Sequence, residues 1–575
     1  MSHLAALRDA LAHERAAVEA EHARLAALPL PARAAAGFSV YPLSIEATEL
    51  RSKGRVNVVL RGRVPADLLA VGDPVLLAPL GRPDEGHAAR VEGLDEHTLE
   101  LRVDDPPQGA GPWVLSRRLD FHVHGLQVAA LERAERLNTP LANLLLGYEK
   151  PYRADPYEHA AFAMLDPSQR AAAELALGAT EVGLLHGPPG TGKTATLVAI
   201  LRALREMGER PWALADSNAA VDHLALQAHA AGLDVVRLGA SARIESAVQH
   251  LTLEWRILNG PRSAVIRELR RQAARTTGPE GIELRDAIRA EWAAAKRELL
   301  ASADVVAMTL GTLHTRGMEL VAPRTAVVDE AAQVSEPALW LLAARVKRFI
   351  LAGDPMQLGP VLKSRDQRLE RSLLQRLVES GFLFPMLTTQ YRFNAELQAL
   401  SAVTYGGKLN AHPSVAEPVT SPAAQWIDTA GMGLDEERDA LDSLYNVGEL
   451  RLLKRAWDEL LAQGVRPEQV GIVTPYRAQL SRLRELLPGV EAGTVNAFQG
   501  REKDVILASF VRSNPEQELG FVADPRRLNV AVTRARQRFV GIGDVATLGA
   551  SPHFQRLVDE IAALGGYRSG WEFES

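Results

Sequence analysis

Hydrophobic and polar positions repeat with different periods along the chain, and the changes of period divide it into segments. Residues 1–30 have the period of a helix, with Arg and Glu between the apolar positions. The apolar positions at this spacing are Leu4, Leu7, Leu11, Val18 and Leu25. We predict a single packing helix, because its heptads are too few to favour a dimerising coiled coil. Pro29, Pro31 and Gly37 are predicted to end it.

Short β-like runs separated by Gly, Pro and Asp follow this helix. They are RVNVVLRG at 55–62, DPVLLAP at 73–79, AARVEGL at 88–94, TLELRV at 98–103 and PWVL at 112–115. Their spacing predicts a small antiparallel barrel of about 90 residues. His122 and His124 follow in FHVHG, and we interpret them as alternation on a strand in preference to a pair of metal ligands.

The pattern becomes helical again from about residue 126, and from 181 onward apolar strands alternate with helices. Such alternation is typical of parallel α/β units. A charged, helix-like segment at about 245–300 interrupts it, and we predict a helical insertion between two strands there. The predicted domains are a stalk helix at 1–35, the barrel at 36–125, a first α/β domain at 126–383 and a second at 384–575.

Composition limits the classes of protein to which this chain can belong. Its 575 residues are 47% hydrophobic, and no apolar run approaches the roughly 18 residues of a membrane span, so we expect no membrane partner. The charged N-terminus does not resemble a secretory signal. Cysteine is absent, which excludes disulfides and Cys-ligated metal centres and is compatible with the cytoplasm, the compartment that we expect. The net charge of −6 requires any nucleic acid to bind in a local groove.

The segment EVGLLHGPPGTGKT at 181–194 has the strand–loop–helix context of a phosphate-binding loop. Glycines let the backbone bend so that its N–H groups point at phosphate oxygens, and the next helix begins with favourable partial charge. We expect Lys193 to reach the β- and γ-phosphates and Thr194 to bind Mg²⁺. The residues predicted to bind the nucleotide here are Gly187, Pro188, Pro189, Gly190, Thr191, Gly192, Lys193, Thr194 and Ala195.

Two further β-like runs end in polar residues suited to phosphoryl chemistry. In RTAVVDEAAQ, Asp329 is predicted to hold Mg²⁺ and Glu330 to polarise the attacking water, although adjacent acids at a strand end could also cap a helix. The next run, RFILAGDPMQLGP, ends in Gly-Asp and then Gln357. We expect the Gln357 amide to contact both the γ-phosphate and the water.

GPPGTGKT, DEAAQ, GDPMQLGPV, QYR and NVAVTRAR, in that order, resemble superfamily 1 helicases. The likeness is closest to class B, the up-frameshift and immunoglobulin-mu-binding helicases, and especially so in TVNAFQGREKDVILASFVRSN and DPRRLNVAVTRAR. The resemblance implies two RecA-like P-loop domains with ATP between them. It also implies an N-terminal stalk, a β-barrel accessory domain and a helical insertion. It covers the motor core only, without the Cys/His-rich regulatory domain of the decay factor.

The resemblance also implies roles for single residues. Gln169 in LDPSQ would recognise the adenine, and Tyr391 in TTQYRFN would stack on the base. Arg392 would contact the γ-phosphate from the second domain, and Arg534 in VTRAR would be an arginine finger supplied in cis. Glu502 in QGRE would contact the nucleotide at the ribose.

Contacts to the nucleic-acid strand carry over in the same way. The residues implied are Ser217, Asn218, Thr309, Pro475, Tyr476 and Thr494. Hydroxyls and main-chain amides suit phosphates without selecting a base sequence. Three positions depart from the family pattern: Asp216 replaces Pro or Thr, Asn496 replaces Asp, and Phe393 replaces Met. An acid at position 216 would repel a phosphate unless it were turned away.

From these features we expect an ATP-dependent helicase or translocase that moves 5′ to 3′ along single-stranded DNA or RNA as a monomer. An ATP-regulated nucleoprotein clamp or remodeller, without net unwinding, is the main alternative. A ring-forming AAA+ ATPase shares GPPGTGKT, but its arginine finger would come from a neighbouring subunit. Two halves of a nucleotide site in one chain argue against the ring.

Overall fold

The computed structural model describes residues 2–50, 56–64, 68–69, 71–95, 97–109, 111–239, 244–276, 278–314 and 322–573. Arg55, at the start of the first predicted β-like run, lies outside the described residues. Within these ranges, none of the helices combines the length and the apolar character needed to cross a lipid bilayer.

The chain begins with helix α1, His3–Ala26, which Ser2 caps by accepting a hydrogen bond from the Ala5 amide. Leu4, Leu7 and Leu11 are buried, as expected of the packing face. Helix α2, Leu30–Ala35, follows after Pro29. The first helix thus ends before Pro29, in agreement with the predicted break, but Pro31 lies in the first turn of a new helix, where proline is tolerated.

After these two helices, six strands of the described chain form a closed barrel in the order β1-β2-β5-β4-β3-β6. They are β1 Ser39–Leu50, β2 Val56–Arg61, β3 Pro74–Pro79, β4 His87–Leu94, β5 Thr98–Val103 and β6 Trp113–Arg117. The sequence pattern missed β1. Pro42 interrupts its alternation and lies where the pairing of β1 with β6 shifts register.

Helices α3, His122–Ala134, and α4, Pro140–Leu146, connect the barrel to the first sheet. His122 and His124 therefore lie on a helix, and their interpretation as strand alternation is wrong. His124 Nε2 lies 2.7 Å from the Leu11 carbonyl, so this side chain joins α3 to α1. The described residues contain no group of three or more His, Cys, Asp or Glu arranged to hold a metal ion.

The first α/β domain is built on a parallel sheet in the order β7-β12-β11-β8-β10-β9. Its strands are β7 Val182–His186, β8 Trp212–Ala215, β9 Val235–Leu238, β10 Val305–Thr309, β11 Thr325–Val328 and β12 Arg348–Gly353. Its helices are α5 Pro167–Gly178, α6 Lys193–Glu206, α7 Asn218–Ala230, α8 Leu253–Asn259, α9 Ser263–Ala273, α10 Gly278–Ser302, α11 Glu336–Ala343, α12 Gln367–Glu370 and α13 Leu373–Glu379. Helices α8 to α10 occupy the interval between β9 and β10, where we predicted an insertion.

The second α/β domain has its own parallel sheet, in the order β19-β18-β20-β21-β15-β22, so the predicted α/β class is confirmed. Its strands, with two short pairs, are β13 Thr389–Gln390, β14 Asn410–Ala411, β15 Ala424–Asp428, β16 Glu437–Arg438, β17 Leu444–Tyr445, β18 Val470–Thr474, β19 Glu491–Thr494, β20 Lys503–Ser509, β21 Ala535–Gly543 and β22 Tyr567–Ser569. Its helices are α14 Ala395–Tyr405, α15 Pro413–Ala416, α16 Val447–Ala462, α17 Arg477–Leu486, α18 Pro525–Val532, α19 Val545–Leu548 and α20 Pro552–Ala563.

Three adjacent strands of the first sheet position the candidate chemistry. β7, β12 and β11 are parallel neighbours, so their carboxyl ends meet at one edge of the sheet. The glycine-rich loop follows β7, Asp354 and Gln357 follow β12, and Asp329 and Glu330 follow β11. Ligands of open α/β sheets bind at this edge.

Candidate active site

The glycine-rich loop joins β7 to α6, which begins at Lys193. Gly190 and Gly192 both have φ of 73°, a left-handed conformation that favours glycine. A Cβ at Gly187 would lie 2.7 Å from the Lys193 Cβ, so the Lys193 side chain folds back over the loop. Pro188 closes the turn, since its carbonyl accepts a 2.7 Å hydrogen bond from the Thr191 hydroxyl. This is the backbone shape that presents N–H groups to phosphate oxygens.

Lys193 lies between the two acids that follow β11. Its Nζ is 2.5 Å from Glu330 Oε1 and 3.0 Å from Asp329 Oδ1. Burial opposes a charged amine, but the two carboxylates together raise the pKa of Lys193 above its usual value. Burial also acts against Glu330, yet Lys193 and the Gln333 amide lower the pKa of that carboxyl. Lys193 and Glu330 are thus both held in their charged forms.

Glu330 does not cap a helix with its side chain, which was the alternative role that the sequence left open. It precedes the short 3-10 turn Ala331–Gln333 and makes no side-chain capping bond. Its backbone has φ of 52°, and its N–H donates to Asp329 Oδ1 at 2.8 Å. A left-handed conformation at a residue other than glycine stores strain and is common at functional sites. The bend directs the Glu330 carboxylate toward Lys193.

The donor chemistry around Lys193 fits Mg²⁺. Thr194 supplies a hydroxyl in the first turn of α6, and Asp329 supplies a buried carboxylate within 3.0 Å of Lys193 Nζ. Both are hard oxygen ligands, and Mg²⁺ in nucleotide sites takes most of its remaining ligands from phosphates and water. Thr194 and Asp329 are therefore suitable holders for a magnesium–nucleotide complex.

An arginine from the second domain reaches across the cleft to the first. Arg534 Nη2 donates to Gln357 Oε1 at 3.1 Å, and Arg534 is 2% exposed. The same guanidinium is held from behind by the carbonyls of Val530 and Arg501, at 3.1 and 3.3 Å. Burial and the nearby charge of Arg392 lower the pKa of Arg534 to about 10, which still leaves it cationic at neutral pH.

Arg392 is the second cation that the cleft receives from this domain. It forms an ion pair with Glu502, which also binds Arg536, and its Nη1 donates to the Thr533 carbonyl at 3.2 Å. A Cβ at Gly190 would lie 2.5 Å from the Arg392 Cβ. Arg392 therefore packs directly against the glycine-rich loop, while Glu502 contacts two arginines.

Gln169 and Tyr391 meet around Asp166 at one end of the loop. Gln169 Oε1 accepts from the Asp166 amide at 3.2 Å, and its Nε2 donates to the Thr191 carbonyl at 3.0 Å. The Tyr391 hydroxyl donates to Asp166 Oδ2 at 3.1 Å, and its amide donates to the Gly190 carbonyl at 2.8 Å. The cleft thus brings together the predicted catalytic residues and the predicted nucleotide-binding residues from both domains.

A cavity of about 930 Å³ lies between helices α1 and α2, residues 358–370, and the loops and helix α17 of the second domain. Pro475 and Thr494, two of the predicted strand contacts, line it together with Asn496. Its cationic lining residues are Arg24, Lys363, Arg365, Arg477, Arg482, Arg526 and Arg527. Its acidic lining residues are Glu21, Glu370, Asp439 and Asp524. We call this space the strand cavity, because the excess of cations suits a phosphate backbone.

The other four predicted strand contacts do not line the strand cavity. Ser217 accepts from the Ala220 amide and caps α7, and Thr309 bonds Thr312. Asn218 Oδ1 accepts from Arg237 Nη2 at 2.9 Å. Tyr476 is buried and lies 3.4 Å from Arg512 Nη1. These side chains already have partners within the fold.

The three departures from the family pattern have different surroundings. The Asp216 side chain is exposed. Asn496 Oδ1 accepts from Arg527 Nη1 at 2.7 Å within the strand cavity. Phe393 is 1% exposed and packs in the core of the second domain.

Sequence reasoning missed a group of polar residues directly behind Gln357. They are His186, Asp354, Tyr405 and Asn529. Asp354 stands inside the conspicuous GDPMQ segment and His186 directly precedes the loop, so both offered a signal. Tyr405 and Asn529 offered none, because only the tertiary fold brings them to Asp354.

Comparison with known proteins gives matches along most of the chain. Two family models, each described as an AAA domain, match residues 164–278 and 267–365 in one case and 369–546 in the other. DNA-binding protein SMUBP-2 of Rattus norvegicus is 34% identical over 477 residues, which cover 75% of this chain and 48% of that protein. ATP-dependent helicase upf1 of Schizosaccharomyces pombe is 34% identical over 455 residues, covering 72% and 49%.

This chain spans about half the length of the first of these curated relatives, 48% of rat SMUBP-2. A solved structure of arterivirus nonstructural protein 10, a helicase in complex with DNA, aligns over 87% of this chain and 77% of its own. Its identity of 14% and TM-score of 0.40 are too low to bear on the arrangement of the domains. The sequence matches and the ordered motifs place the chain in its family: it belongs to the superfamily 1 helicases of the UPF1 and SMUBP-2 group.

Proposed function

We propose that this chain is an ATP-dependent helicase or translocase that acts on single-stranded nucleic acid. The observation that carries the proposal is the contact between Arg534 of the second domain and Gln357 of the first, at 3.1 Å. Lys193, Asp329 and Glu330 lie at the neighbouring strand ends of the same sheet edge. A site assembled from two domains links phosphoryl chemistry to domain movement.

Each residue of the cleft has a proposed part in hydrolysis. Lys193 binds the β- and γ-phosphates, and Glu330 orients and polarises the attacking water. Thr194 and Asp329 hold Mg²⁺, which neutralises charge on those phosphates when it is bound. Gln357 contacts the γ-phosphate and the water, while Arg392 and Arg534 stabilise the charge that spreads over the transferred group.

At the other end of the nucleotide, we propose that Gln169 contacts the adenine, Tyr391 stacks on it, and Glu502 contacts the ribose. Gln169 and Tyr391 both hydrogen-bond Asp166, which supports a shared role at one end of the loop. Glu502 lies between Arg392 and Arg536, so nucleotide binding would rearrange an existing ion-pair cluster. The remaining loop residues supply backbone contacts to the phosphates.

The strand is proposed to run through the strand cavity, held there by Pro475 and Thr494. Four further contacts are proposed, although each would first have to give up its present hydrogen bond within the fold: Ser217, Asn218, Thr309 and Tyr476. Movement from 5′ to 3′ is proposed from the resemblance to class B. We propose a monomer because both halves of the nucleotide site lie in one chain, and a cytoplasmic location because a chain without cysteine is compatible with that compartment.

The domain division that we propose follows the sequence: stalk 1–35, barrel 36–125 and α/β domains 126–383 and 384–575. The insertion at about 245–300 and the barrel are proposed to flank the strand as accessory units. A closed six-strand barrel and three helices between β9 and β10 in the described chain support this division. The cis position of Arg534 beside Gln357 favours this motor over a ring ATPase.

The test is ATP turnover titrated with single-stranded DNA and RNA of matched sequence, with duplex DNA as the control. Fluorescent duplexes with a single 5′ or 3′ tail measure unwinding and direction, and the Glu330→Gln variant is the matched inactive protein. We expect strand-stimulated turnover and unwinding from the 5′ tail. Stimulation without unwinding would favour the clamp, a 3′ preference would reverse the direction, and turnover indifferent to any strand would refute the proposal.

A further inference from the structure

Asp354 is a buried carboxylate at the end of β12, 1% exposed. Its Oδ1 lies 3.0 Å from His186 Nε2, the residue directly before the glycine-rich loop. Its Oδ2 accepts from Gln357 Nε2 at 3.0 Å and from the Tyr405 hydroxyl at 2.6 Å. Asp354 therefore touches the phosphate-loop strand, the Gln357 amide and a third side chain that belongs to the other α/β domain.

Tyr405 brings this third contact from the last residue of α14 in the second domain. Its oxygen donates to Asp354 and accepts from Asn529 Nδ2 at 2.9 Å. The same amide donates to the Met356 carbonyl at 2.9 Å, so α18 also meets the segment after β12. The Tyr405 side chain is thus a bridge between the domains, buried at 4% exposure.

The bridge and the Arg534 contact join the same two segments of chain. Asn529 lies on α18, which leads directly to Arg534, and Asp354 stands three residues before Gln357. Because Asp354 accepts from the Gln357 Nε2, the Gln357 Oε1 is left facing the Arg534 guanidinium. The orientation of the Gln357 amide therefore depends on a carboxylate that the second domain itself contacts.

The charges of the bridge agree with this geometry. Burial opposes ionisation of Asp354, but hydrogen bonds from His186, Tyr405 and Gln357 lower the pKa of its carboxyl. Burial and the Asp354 charge raise the pKa of Tyr405 well above its ordinary value, as expected of a hydroxyl that donates to a buried carboxylate. Opening the cleft would remove a charge-assisted hydrogen bond from a buried carboxylate, and such bonds are stronger than neutral ones.

We propose that Tyr405 is a positioning residue for ATP hydrolysis: its hydroxyl makes closure of the two domains a condition for holding Gln357 against Arg534. The inference rests on the proposed function of the cleft and adds a residue outside every recognised motif. An open cleft leaves Asp354 without the Tyr405 hydroxyl and Gln357 without Arg534. Closure restores both contacts together, so the Gln357 amide is correctly oriented only when the second domain has closed onto the first.

The test uses Tyr405→Phe in the full chain, which removes the hydroxyl and keeps the ring. With saturating single-stranded DNA, we expect kcat for ATP to fall on the order of tenfold, with KM changed less than kcat. Closure is measured by energy transfer between dyes on cysteines introduced at the exposed positions Met207 and Leu461, since the chain has no cysteine of its own. The ADP–aluminium fluoride concentration for half-closure should rise by a similar factor.

Tyr567→Phe is the matched control. The Tyr567 hydroxyl donates to Asp428 at 2.5 Å, but both residues lie in the second domain, so its loss should leave turnover and closure near wild type. A double-mutant cycle with Asp354→Asn supplies an independent variant: Tyr405→Phe should cost little more once Asp354 is neutral. Fully multiplicative losses, or wild-type turnover and closure in Tyr405→Phe, would overturn the inference. A wild-type chain without ATP turnover would instead refute the proposed function.

Discussion

The nucleotide cleft and the strand cavity use their predicted residues in different ways. In the cleft the predicted residues contact one another: Lys193 pairs with Glu330, and Arg534 donates to Gln357. In the strand cavity only Pro475 and Thr494, of the six predicted contacts, line the space. Six arginines also line that space, and none of them was among the predicted strand contacts.

The physical cause of this difference is the cost of burying charge. A buried ammonium or guanidinium needs an opposite charge or strong acceptors, so motif residues of the cleft constrain each other's positions. Neutral hydroxyl and amide side chains can be placed in many environments at little cost in free energy. They therefore also serve structural roles, such as the helix cap that Ser217 provides. A motif of charged residues therefore predicts geometry far better than one of hydroxyls.

The largest effect is expected from substituting Arg534, which tests whether this residue acts in the nucleotide cleft. Arg534→Ala should reduce ATP turnover on the order of 10³-fold or more, because an arginine finger stabilises charge that develops in the transition state. Arg534→Lys should recover little, since one ammonium cannot replace the planar fork between Gln357 and two carbonyls. Turnover by stopped-flow phosphate release is the measurement.

Binding of a fluorescent single strand in the absence of nucleotide is the companion measurement for Arg534, and it should stay near normal. Weakened strand binding with unchanged basal hydrolysis would move Arg534 from the cleft to the strand cavity. The cleft would then have no arginine finger from the second domain.

Glu330→Gln is the next largest test, again within the cleft. Glutamine keeps the shape but cannot polarise water as a carboxylate does, so turnover should fall about 100-fold or more. ATP affinity should be kept, because Lys193 is freed from one of its two acidic partners. ATP affinity by nucleotide titration and ATP turnover are both measured for this variant. A loss of affinity without a loss of turnover rate would mean that Glu330 has a structural role.

Asn218→Ala and Thr494→Ala compare a residue engaged in the fold with one that lines the strand cavity. Asn218 accepts from Arg237, which is fully buried, so its loss should lower the free energy of unfolding by about 1–3 kcal/mol. Thr494→Ala should leave stability nearly unchanged and weaken strand binding several-fold. Urea unfolding and fluorescence anisotropy measure the two effects, and the reverse assignment would place the strand beside Asn218.

Much of the architecture was predictable from local pattern, and the failures have local causes. Each of the five β-like runs overlaps one of the strands β2 to β6, because Gly and Pro separate alternating segments. Strand β1 was missed because Pro42 interrupts it, and His122 was misassigned because two residues of alternation cannot distinguish a strand from the first turn of a helix. Tyr405 could not be predicted, since it meets Asp354 across 51 residues and no periodicity encodes that contact.

The smallest expected effect comes from Asn496→Asp, which restores the family's acid inside the strand cavity. Asn496 already accepts from Arg527 Nη1 at 2.7 Å, so the new carboxylate would form a charged pair without moving the chain. A paired Arg527 offers less charge to phosphates. We expect strand affinity to fall a few-fold, which is measured by anisotropy at several salt concentrations.

The salt dependence separates a charge effect at Asn496 from a steric one. Each phosphate of a single strand that a cation neutralises contributes about 0.7 units to the slope of log affinity against log salt. If Arg527 contacts a phosphate, Asn496→Asp should make that slope shallower by up to about 0.7 units and leave ATP turnover without a strand unchanged. An equal loss at every salt concentration would mean that Arg527 meets no phosphate. The strand cavity would then be a gap between domains, and the strand would have to follow Ser217 and Thr309 along the edge of the first sheet, where β8 and β10 end side by side.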